Sequence, residues 1–193
     1  MRTAMRQHAR QVHDKAIICA MLDLMDTIYL GIPDEPAPYV VPLNFGYAFE
    51  EELVFFFHCA HEGYKLELLA KNPNVCVSAS QFISYADGCV KGHMHDFRSV
   101  IARGVARRID PQAEPERFRF AHEQLLIHNH RSPAQADTPA ARHIQMWEIV
   151  CPAHQVTAKA EIMPRNADEV AFAPAGGDGS SLDESHVLDA KKD

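Results

Sequence analysis

The chain has 193 residues, a formal net charge of −7 and a hydrophobic content of 47%. This length suits one well-buried domain and is short for two. No dense block of Lys and Arg occurs, which argues against binding nucleic acid through its phosphates. No apolar run approaches the roughly 20 residues of a membrane span, so neither a nucleic acid nor a membrane is expected as a partner.

The cysteines argue for a reducing environment. There are five, an odd number, and they are widely spaced without a Cys-x-x-Cys pair. Such a pattern favours neither a disulfide framework nor a structural zinc site. Residues 1–13 are polar and basic and lack the apolar segment of a secretory signal. We therefore predict an N-terminal arm over residues 1–13 and a cytoplasmic location.

The first half of the chain predicts one helix and three strands. Asp14 is placed to cap a helix over residues 15–24, where apolar side chains recur at helical spacing. Runs rich in β-branched and aromatic residues then predict strands at residues 27–32, 39–45 and 53–57. The acidic stretch at residues 48–52 cannot be buried cheaply, so we interpret it as the turn between the second and third strands.

The second half alternates helices and strands less regularly. A helix is predicted from Glu62 to about Asn72, where Pro73 stops it. Strands follow at residues 74–82 and 97–109, then a helix from Pro115 to about His128, and a sixth strand within residues 143–160.

These elements predict a mainly β fold. Six strands with hairpin connections and no βαβ alternation indicate an antiparallel barrel with flanking helices. We assign residues 14–163 to this domain. Residues 164–193 have the composition of a disordered tail, since they offer too little apolar surface to offset the entropy of ordering.

The junction after the third strand carries the strongest chemical signal. His58, Cys59 and Ala60 end a buried strand, and a helix opens at Glu62. The start of a helix presents unpaired N–H groups and a partial positive charge, and Lys65 adds a full charge there. Such a site suits a phosphate. Taken alone, however, a lysine near a helix start is more often a solvated surface residue.

Three ordered stretches make the signal more specific. They are PYVVPLNFGY at residues 38–47, FFFHCAHEGYKLELLAKNPNVCVSA at residues 55–79 and FRSVIARGVARRID at residues 97–110. Together they resemble the FMN-binding split-barrel superfamily, which includes pyridoxamine 5′-phosphate oxidase. The nearest branch is the Nim-type, or 5-nitroimidazole-resistance, group. The resemblance covers residues 14–159 and implies a split β-barrel that forms a homodimer with two FMN sites at the subunit interface.

The resemblance also implies roles for residues at the strand–helix junction. A lysine at the position of Lys65 contacts the FMN phosphate in the related oxidases. Those oxidases have an Arg-Lys pair where this chain has Tyr64 and Lys65. In the Nim-type branch a histidine at the position of His58 lies beside the cofactor and is the candidate catalytic residue, whereas a histidine ending a strand is otherwise most often structural. Cys59 and Ala60 would approach the phosphate through their backbone.

Two further strands are implied to line the flavin. One is the segment that lines the isoalloxazine ring, formed here by Val41, Pro42, Leu43, Asn44 and Phe45. The other is the start of the fifth strand, where Ser99 replaces a glutamine that contacts the cofactor and is followed by Val100. Many Nim-like chains have a tyrosine where this chain has Phe97.

The activity implied by the resemblance is an FMN-dependent oxidoreductase acting on a small molecule. Electrons would come from NADH or NADPH, and reduction of a nitro group is one possibility. Two alternatives remain open: a haem-binding or haem-handling split barrel, and a flavin-binding protein without turnover.

The chain has twelve histidines, some of which could in principle bind a metal ion. His93 with His95, and His128 with His130, have the i, i+2 spacing that places two side chains on one face of a strand. Both pairs fall in or beside predicted loops, and no carboxylate or cysteine is spaced to complete either set. We therefore predict no metal site.

Overall fold

The computed structural model describes residues 10–85, 95–137 and 144–160 of the chain. Its helices are α1 (Lys15–Leu22), α2 (Tyr64–Lys71) and α3 (Pro115–His128). Asp14 caps α1 as predicted, because its carboxylate accepts hydrogen bonds from the backbone nitrogens of Ala16 at 2.8 Å and Ile17 at 3.1 Å. The predicted tail, residues 164–193, lies outside the described residues.

The described residues form nine strands, three more than predicted. They are β1 (Gln11–Val12), β2 (Ile28–Ile32), β3 (Tyr39–Leu43), β4 (Gly46–Phe49), β5 (Glu52–Cys59), β6 (Asn74–Tyr85), β7 (His95–Arg108), β8 (Gln145–Pro152) and β9 (Val156–Ala160). The mainly β, antiparallel architecture with flanking helices is confirmed. The strand count is corrected.

Each additional strand has a physical cause. β4 takes up the start of the predicted acidic turn, which leaves only Glu50 and Glu51 to reverse the chain. A 3₁₀ turn at Ala153–Gln155 divides the predicted sixth strand into β8 and β9. β1 lies in the predicted arm and pairs with residues 158–159, a contact of such long range that the local sequence could not indicate it.

The strands form one antiparallel sheet that curls back on itself. The order is β3-β2-β6-β7-β8-β5-β4, and β9 pairs with β7 and β1. The two edge strands, β3 and β4, follow each other in the chain with only Asn44 and Phe45 between them. The chain therefore joins the two edges of the sheet, which closes it into a barrel.

β7 forks between two neighbours. Along one edge it pairs with β6, and along the other its first half pairs with β9 and its last residues with β8. Gly104 lies at the change of partner. A side chain there would collide with the Val150 carbonyl and would lie 2.7 Å from Cys151 Sγ. The glycine thus permits the strands to cross closely where the barrel splits.

The alternation of β5 separates two hydrophobic clusters. Leu53, Phe55, Phe57 and Cys59 point into the barrel and join its main core. Phe56 points outward and is buried in a second cluster, called here the outer layer, together with Ile109, Ala121, Leu125 and Met146. α3 supplies two of these residues, so it covers the outer surface of the sheet at β5 and β8.

α3 approaches the sheet most closely at Gly46. A Cβ atom built there would overlap the Leu125 backbone nitrogen and lie 2.6 Å from the Gln124 carbonyl oxygen. Asn129 at the end of α3 donates hydrogen bonds to the carbonyls of Phe45 at 3.0 Å and Leu125 at 2.7 Å. The helix therefore holds the link between β3 and β4.

A buried ionic cluster fastens α3 to the strands beneath it. Glu148 on β8 has 2% of its surface exposed. Its carboxylate accepts from Arg107 on β7 at 2.6 Å and from Arg117 on α3 at 2.7 Å. The Arg117 guanidinium also lies 5.0 Å from the centre of the Phe56 ring.

Of the helices in the described ranges, none is long and apolar enough to cross a membrane.

The contact at Gly46 predicts a large effect of a single methyl group. Gly46→Ala should lower the free energy of unfolding by about 2 kcal/mol or more, because the helix backbone cannot yield as a side chain can. Urea unfolding followed by Trp147 fluorescence measures this. Gly31→Ala is the control: its added Cβ would meet the Cys76 carbonyl at 3.4 Å, an ordinary contact. Equal stabilities for the two variants would contradict the prediction.

The ionic cluster predicts a second, separable effect. Glu148→Ala should cost about 2–4 kcal/mol of unfolding free energy, because two guanidinium groups lose the carboxylate between them. Glu123→Ala, which removes an exposed i, i+4 pair with Arg119, should cost at most about 0.5 kcal/mol. Thermal or urea unfolding of both variants tests the contrast. A small loss for Glu148→Ala would mean that water replaces the carboxylate effectively.

Candidate functional site

The structure brings His58, Cys59 and Lys65 together at the junction between β5 and α2. The Cys59 side chain points into the core, while His58 lies on the opposite face of the strand and is exposed. Lys65 lies in the first turn of α2 and is half-buried. Partial desolvation, followed by the charge of Lys65, lowers the pKa of His58. Burial raises the pKa of the Cys59 thiol, and Lys65 opposes that rise.

The start of α2 is open in the manner that an anion site requires. Its N-cap residue is Gly63, which has no side chain to bond the first backbone N–H groups. Gly63 also has a φ of 137°, a conformation that side-chain-bearing residues rarely adopt. Lys65 therefore lies beside backbone donors that no N-cap side chain occupies.

Tyr64 fixes the position of this helix start. Its hydroxyl donates to Asp34 Oδ2 at 2.9 Å, and its ring packs edge-on against Tyr39 with 5.6 Å between the ring centres. Asp34 belongs to the connection between β2 and β3, and Tyr39 begins β3. The residue that replaces an arginine of the related oxidases thus anchors α2 to the neighbouring strands.

The predicted ring-binding segment presents alternate residues to the core. Val41, Leu43 and Phe45 pack against the main core. Pro42 and Asn44 are exposed, and the Asn44 amide donates to the Asp26 carbonyl at 3.4 Å. Pro42 and Asn44 are therefore the most accessible side chains of this segment, Val41 and Leu43 are partly buried, and Phe45 is fully buried. Because Gly46 pairs with Phe56, the link before it lies beside the end of β5 and thus near His58.

Ser99 and Val100 lie in a different part of the sheet from His58. Val100 points into the core in the same cross-strand row as Leu43, three strands away, or about 14 Å at the usual strand spacing. Ser99 is half-buried on the outer face, opposite Ser80 on β6 and Lys159 on β9. The β3 segment is therefore the element that connects the two groups of predicted residues.

The outer face of this half of the sheet carries exposed apolar side chains. Pairing across four strands places Pro42, Tyr29, Ser78 and Ile101 in one row. Tyr29 is 47% exposed and Ile101 is 40% exposed. Val40, on the same face one row along, is 56% exposed. No described helix covers these residues, in contrast to the surface beneath α3.

Sequence analysis missed His122. It lies on α3 and is 8% exposed, and its Nδ1 is buried without a hydrogen-bond partner among the described residues. Burial, then the charge of His58, lowers the pKa of His122, and a hydrogen bond to the Ala136 backbone opposes this. Its spacing from Phe118 and Leu125 could have shown that it faces the sheet.

Neither His128 nor a groove elsewhere on the described surface adds to this site. His128 bonds the Met25 carbonyl at 2.9 Å and packs on Phe45, and His93 lies outside the described residues. Within the described residues no three metal-ligating side chains lie close enough to hold an ion. A groove of about 1140 Å³ between β2, α2 and β7 is lined by none of the predicted site residues.

Comparison with known proteins identifies the class of this fold. Residues 14–159 match the family model of pyridoxamine 5′-phosphate oxidase. The chain belongs to the pyridoxamine 5′-phosphate oxidase family, whose split-barrel fold the structure shares. No protein of curated function matches the chain.

Three solved structures illustrate the range of similar proteins. A candidate 5-nitroimidazole antibiotic resistance protein from Bacteroides thetaiotaomicron is 28% identical, with a TM-score of 0.59 over 77% of this chain and 85% of that one. The flavocytochrome Anf3 from Azotobacter vinelandii is 18% identical, with a TM-score of 0.64 over 94% and 90%. An FAD- and haem-binding protein from Mycobacterium smegmatis is 16% identical, with a TM-score of 0.61 over 94% of each chain. The last two show the fold alone.

The electrostatic contact between Lys65 and His58 yields a direct test. Lys65→Gln should raise the pKa of His58, because a positive charge that disfavours the imidazolium is removed. NMR titration of the His58 ring protons measures the shift. Lys71→Gln, at the other end of α2, is the matched control and should leave the titration unchanged. If both variants titrate like the unaltered protein, Lys65 does not act on His58.

Proposed function

We propose that this chain is an FMN-dependent oxidoreductase that acts on a small molecule. The observation that carries the proposal is the convergence of Lys65, the uncapped start of α2 and His58 beside the exposed edge of β3, in a member of this family. The solved structure at 28% identity favours a nitro compound as the finer substrate class.

The donor set fits a flavin phosphate. A dianionic phosphate requires positive charge and directed N–H donors, and Lys65 together with the first turn of α2 offers both. Cys59 and Ala60 adjoin this point through their backbone. The flavin ring needs an apolar surface with a few polar contacts, for which Pro42 and Asn44 are exposed on β3. Ser99 and Val100 would meet the cofactor farther along the sheet.

FMN, when bound, would supply two-electron transfer from NADH or NADPH to the acceptor. The protein's own part is to orient and to provide a proton. His58 is exposed at the end of β5 and has a lowered pKa, so its imidazole is largely neutral near pH 7. From this position the neutral ring would donate a hydrogen bond to the reacting group through its N–H, and the protonated fraction of His58 would donate a proton.

The exposed outer face supports a homodimer. Tyr29, Val40, Pro42 and Ile101 form an apolar surface on the strands that include the proposed ring-binding segment. A second copy covering this face would bury the apolar side chains and enclose the flavin. The four described cysteines, Cys19, Cys59, Cys76 and Cys151, are free thiols, which supports a reducing compartment such as the cytoplasm.

The test is the visible absorption spectrum of the freshly purified full-length protein, followed by denaturation and identification of the released cofactor. We expect a flavin spectrum, released FMN and oxidation of NADH or NADPH when an acceptor is added. A Soret band would instead assign the protein to haem chemistry. Tight FMN binding without oxidation of NADH or NADPH would indicate a flavin-binding protein that is not an enzyme. A colourless protein whose spectrum does not change when FMN is added would overturn the proposal.

Lys65 should contribute to FMN affinity through the phosphate. Lys65→Ala is expected to weaken FMN binding about tenfold or more, since a charge-assisted hydrogen bond contributes about 1.5–3 kcal/mol. Riboflavin, which lacks the phosphate, should bind both proteins equally. Fluorescence titration measures both ligands, with Lys71→Ala as the control. An equal loss for riboflavin would show that Lys65 supports the fold of the site and not the phosphate.

A further inference from the structure

His122 on α3 and His58 at the end of β5 lie on the same side of the sheet. His58 pairs across the ladder with Met146 on β8, so the two side chains share the outer face of the sheet. Met146 is fully buried in the outer layer with Ala121, the residue before His122. His58 is also the ionisable side chain that acts on the pKa of His122. The end of the site strand and the buried histidine are therefore neighbours.

The hydrogen bonds of His122 are incomplete. Its Nδ1 is inaccessible to solvent and has no partner among the described residues, while the ring is bonded to the Ala136 backbone in the 3₁₀ turn at Pro133–Asp137. A buried polar atom without a partner costs about 1–3 kcal/mol, and such atoms are rare. An apolar side chain would fill this position without that cost, so the unsatisfied nitrogen indicates a partner.

The chemistry of the ring identifies Nδ1 as an acceptor. A neutral imidazole carries one N–H group, and we assign it to the other nitrogen, because Nδ1 has no partner among the described residues and the bond to the Ala136 backbone that raises the pKa of His122 needs a ring N–H. Nδ1 then retains its lone pair. Burial and the charge of His58 also lower the pKa of His122, which favours its neutral form.

We propose that His122 is the positioning residue for His58: its buried, unpartnered Nδ1 is the acceptor to which the His58 imidazole turns and donates a hydrogen bond. The role rests on the proposed function of His58. With one nitrogen held by His122, the other nitrogen of His58 faces the site, and the tautomer of the ring is fixed. No bond other than this hydrogen bond forms or breaks.

Among the described residues, few charged or titratable groups lie around the pair. Lys65 approaches His58 from α2 and disfavours its protonated form. At the end of β8 the side chain of Gln145 contacts His61 Nδ1 at 3.2 Å. On α3 lies His122, whose own pKa the charge of His58 lowers, and the 3₁₀ turn places the Ala136 backbone beside His122. The acceptor on α3 therefore offsets the effect of Lys65, because a hydrogen bond from the imidazolium favours its charged form.

The experiment compares three substitutions in the full-length, cofactor-free protein. The amide of His122→Asn lies near the position of Nδ1, that of His122→Gln lies near the other ring nitrogen, and His122→Phe keeps neither. NMR titration of His58 should show proton affinity at least about threefold lower in the Gln and Phe variants, with a mixture of tautomers. The Asn variant should retain the affinity of the unaltered protein to within about 1.5-fold.

Two outcomes of the titrations would count against the proposal. His58 titrations that are the same in all variants, or a loss in Asn equal to that in Gln, would overturn the proposal. If His122→Phe does not fold, the comparison of Asn with Gln still decides, with thermal unfolding as the check on each. In the loaded enzyme the acid limb of the pH profile of kcat/KM should move with the His58 titration.

Failure of the proposed function is distinguishable from failure of this proposal. If the protein binds no flavin but the His58 titration differs between His122→Asn and His122→Gln, the role of His122 is supported and the oxidoreductase function is rejected. If the protein is active with flavin but the His58 titration is the same in both variants, the oxidoreductase function is supported and the role of His122 is rejected.

Discussion

The close approach of α3 to Gly46 is the constraint on which the rest of the site depends. The missing side chain allows the helix backbone to lie directly on the link between β3 and β4. Asn129 and His128 then fasten the end of the helix to Phe45, through a hydrogen bond and ring packing. Since this link joins the two edges of the sheet, holding it in place both closes the barrel and positions the exposed residues of β3 beside the end of β5.

The two faces of β5 differ in character: the inward face forms the core, and the outward face carries the candidate residue His58. The inward side chains make a continuous apolar core, in which a polar group would be costly. The outward face changes character along the strand, from Phe56 under the Arg117 guanidinium to the exposed His58. The ionic cluster around Glu148 holds the start of α3 on the sheet, and His122 is buried farther along the helix. The packing of α3 on the sheet therefore also affects the candidate site at the end of β5.

Tyr64 shows how this chain departs from the oxidases that it resembles. Where they have a second cation, this chain uses a tyrosine whose hydroxyl and ring hold α2 against the connection at Asp34 and against Tyr39. Tyr64 therefore adds no positive charge at the helix start but holds it rigidly in place. The proposed anion site would then rely on Lys65 and the backbone donors, whose direction is fixed because the helix is anchored. Family membership establishes the fold, whereas function rests on this arrangement.

The sequence alone determined the element types and the junction of interest. Asp14 as a cap, α3 over Pro115–His128 and the strand–helix junction at His58 follow from local rules of capping, propensity and hydrophobic period. These rules depend on residues only a few positions apart. For the same reason they could recognise His58 and Lys65 as one motif.

Tertiary structure alone decided which residues meet across the chain. β1 and the division of β8 from β9 depend on partners far away in sequence, so no local pattern reveals them. The alternation that partly buries Val41 and Leu43 while exposing Pro42 follows from which face of β3 the barrel encloses. His122 gained its significance in the same way: its spacing places it on the covered face of α3, but only the packing of that helix brings it to His58.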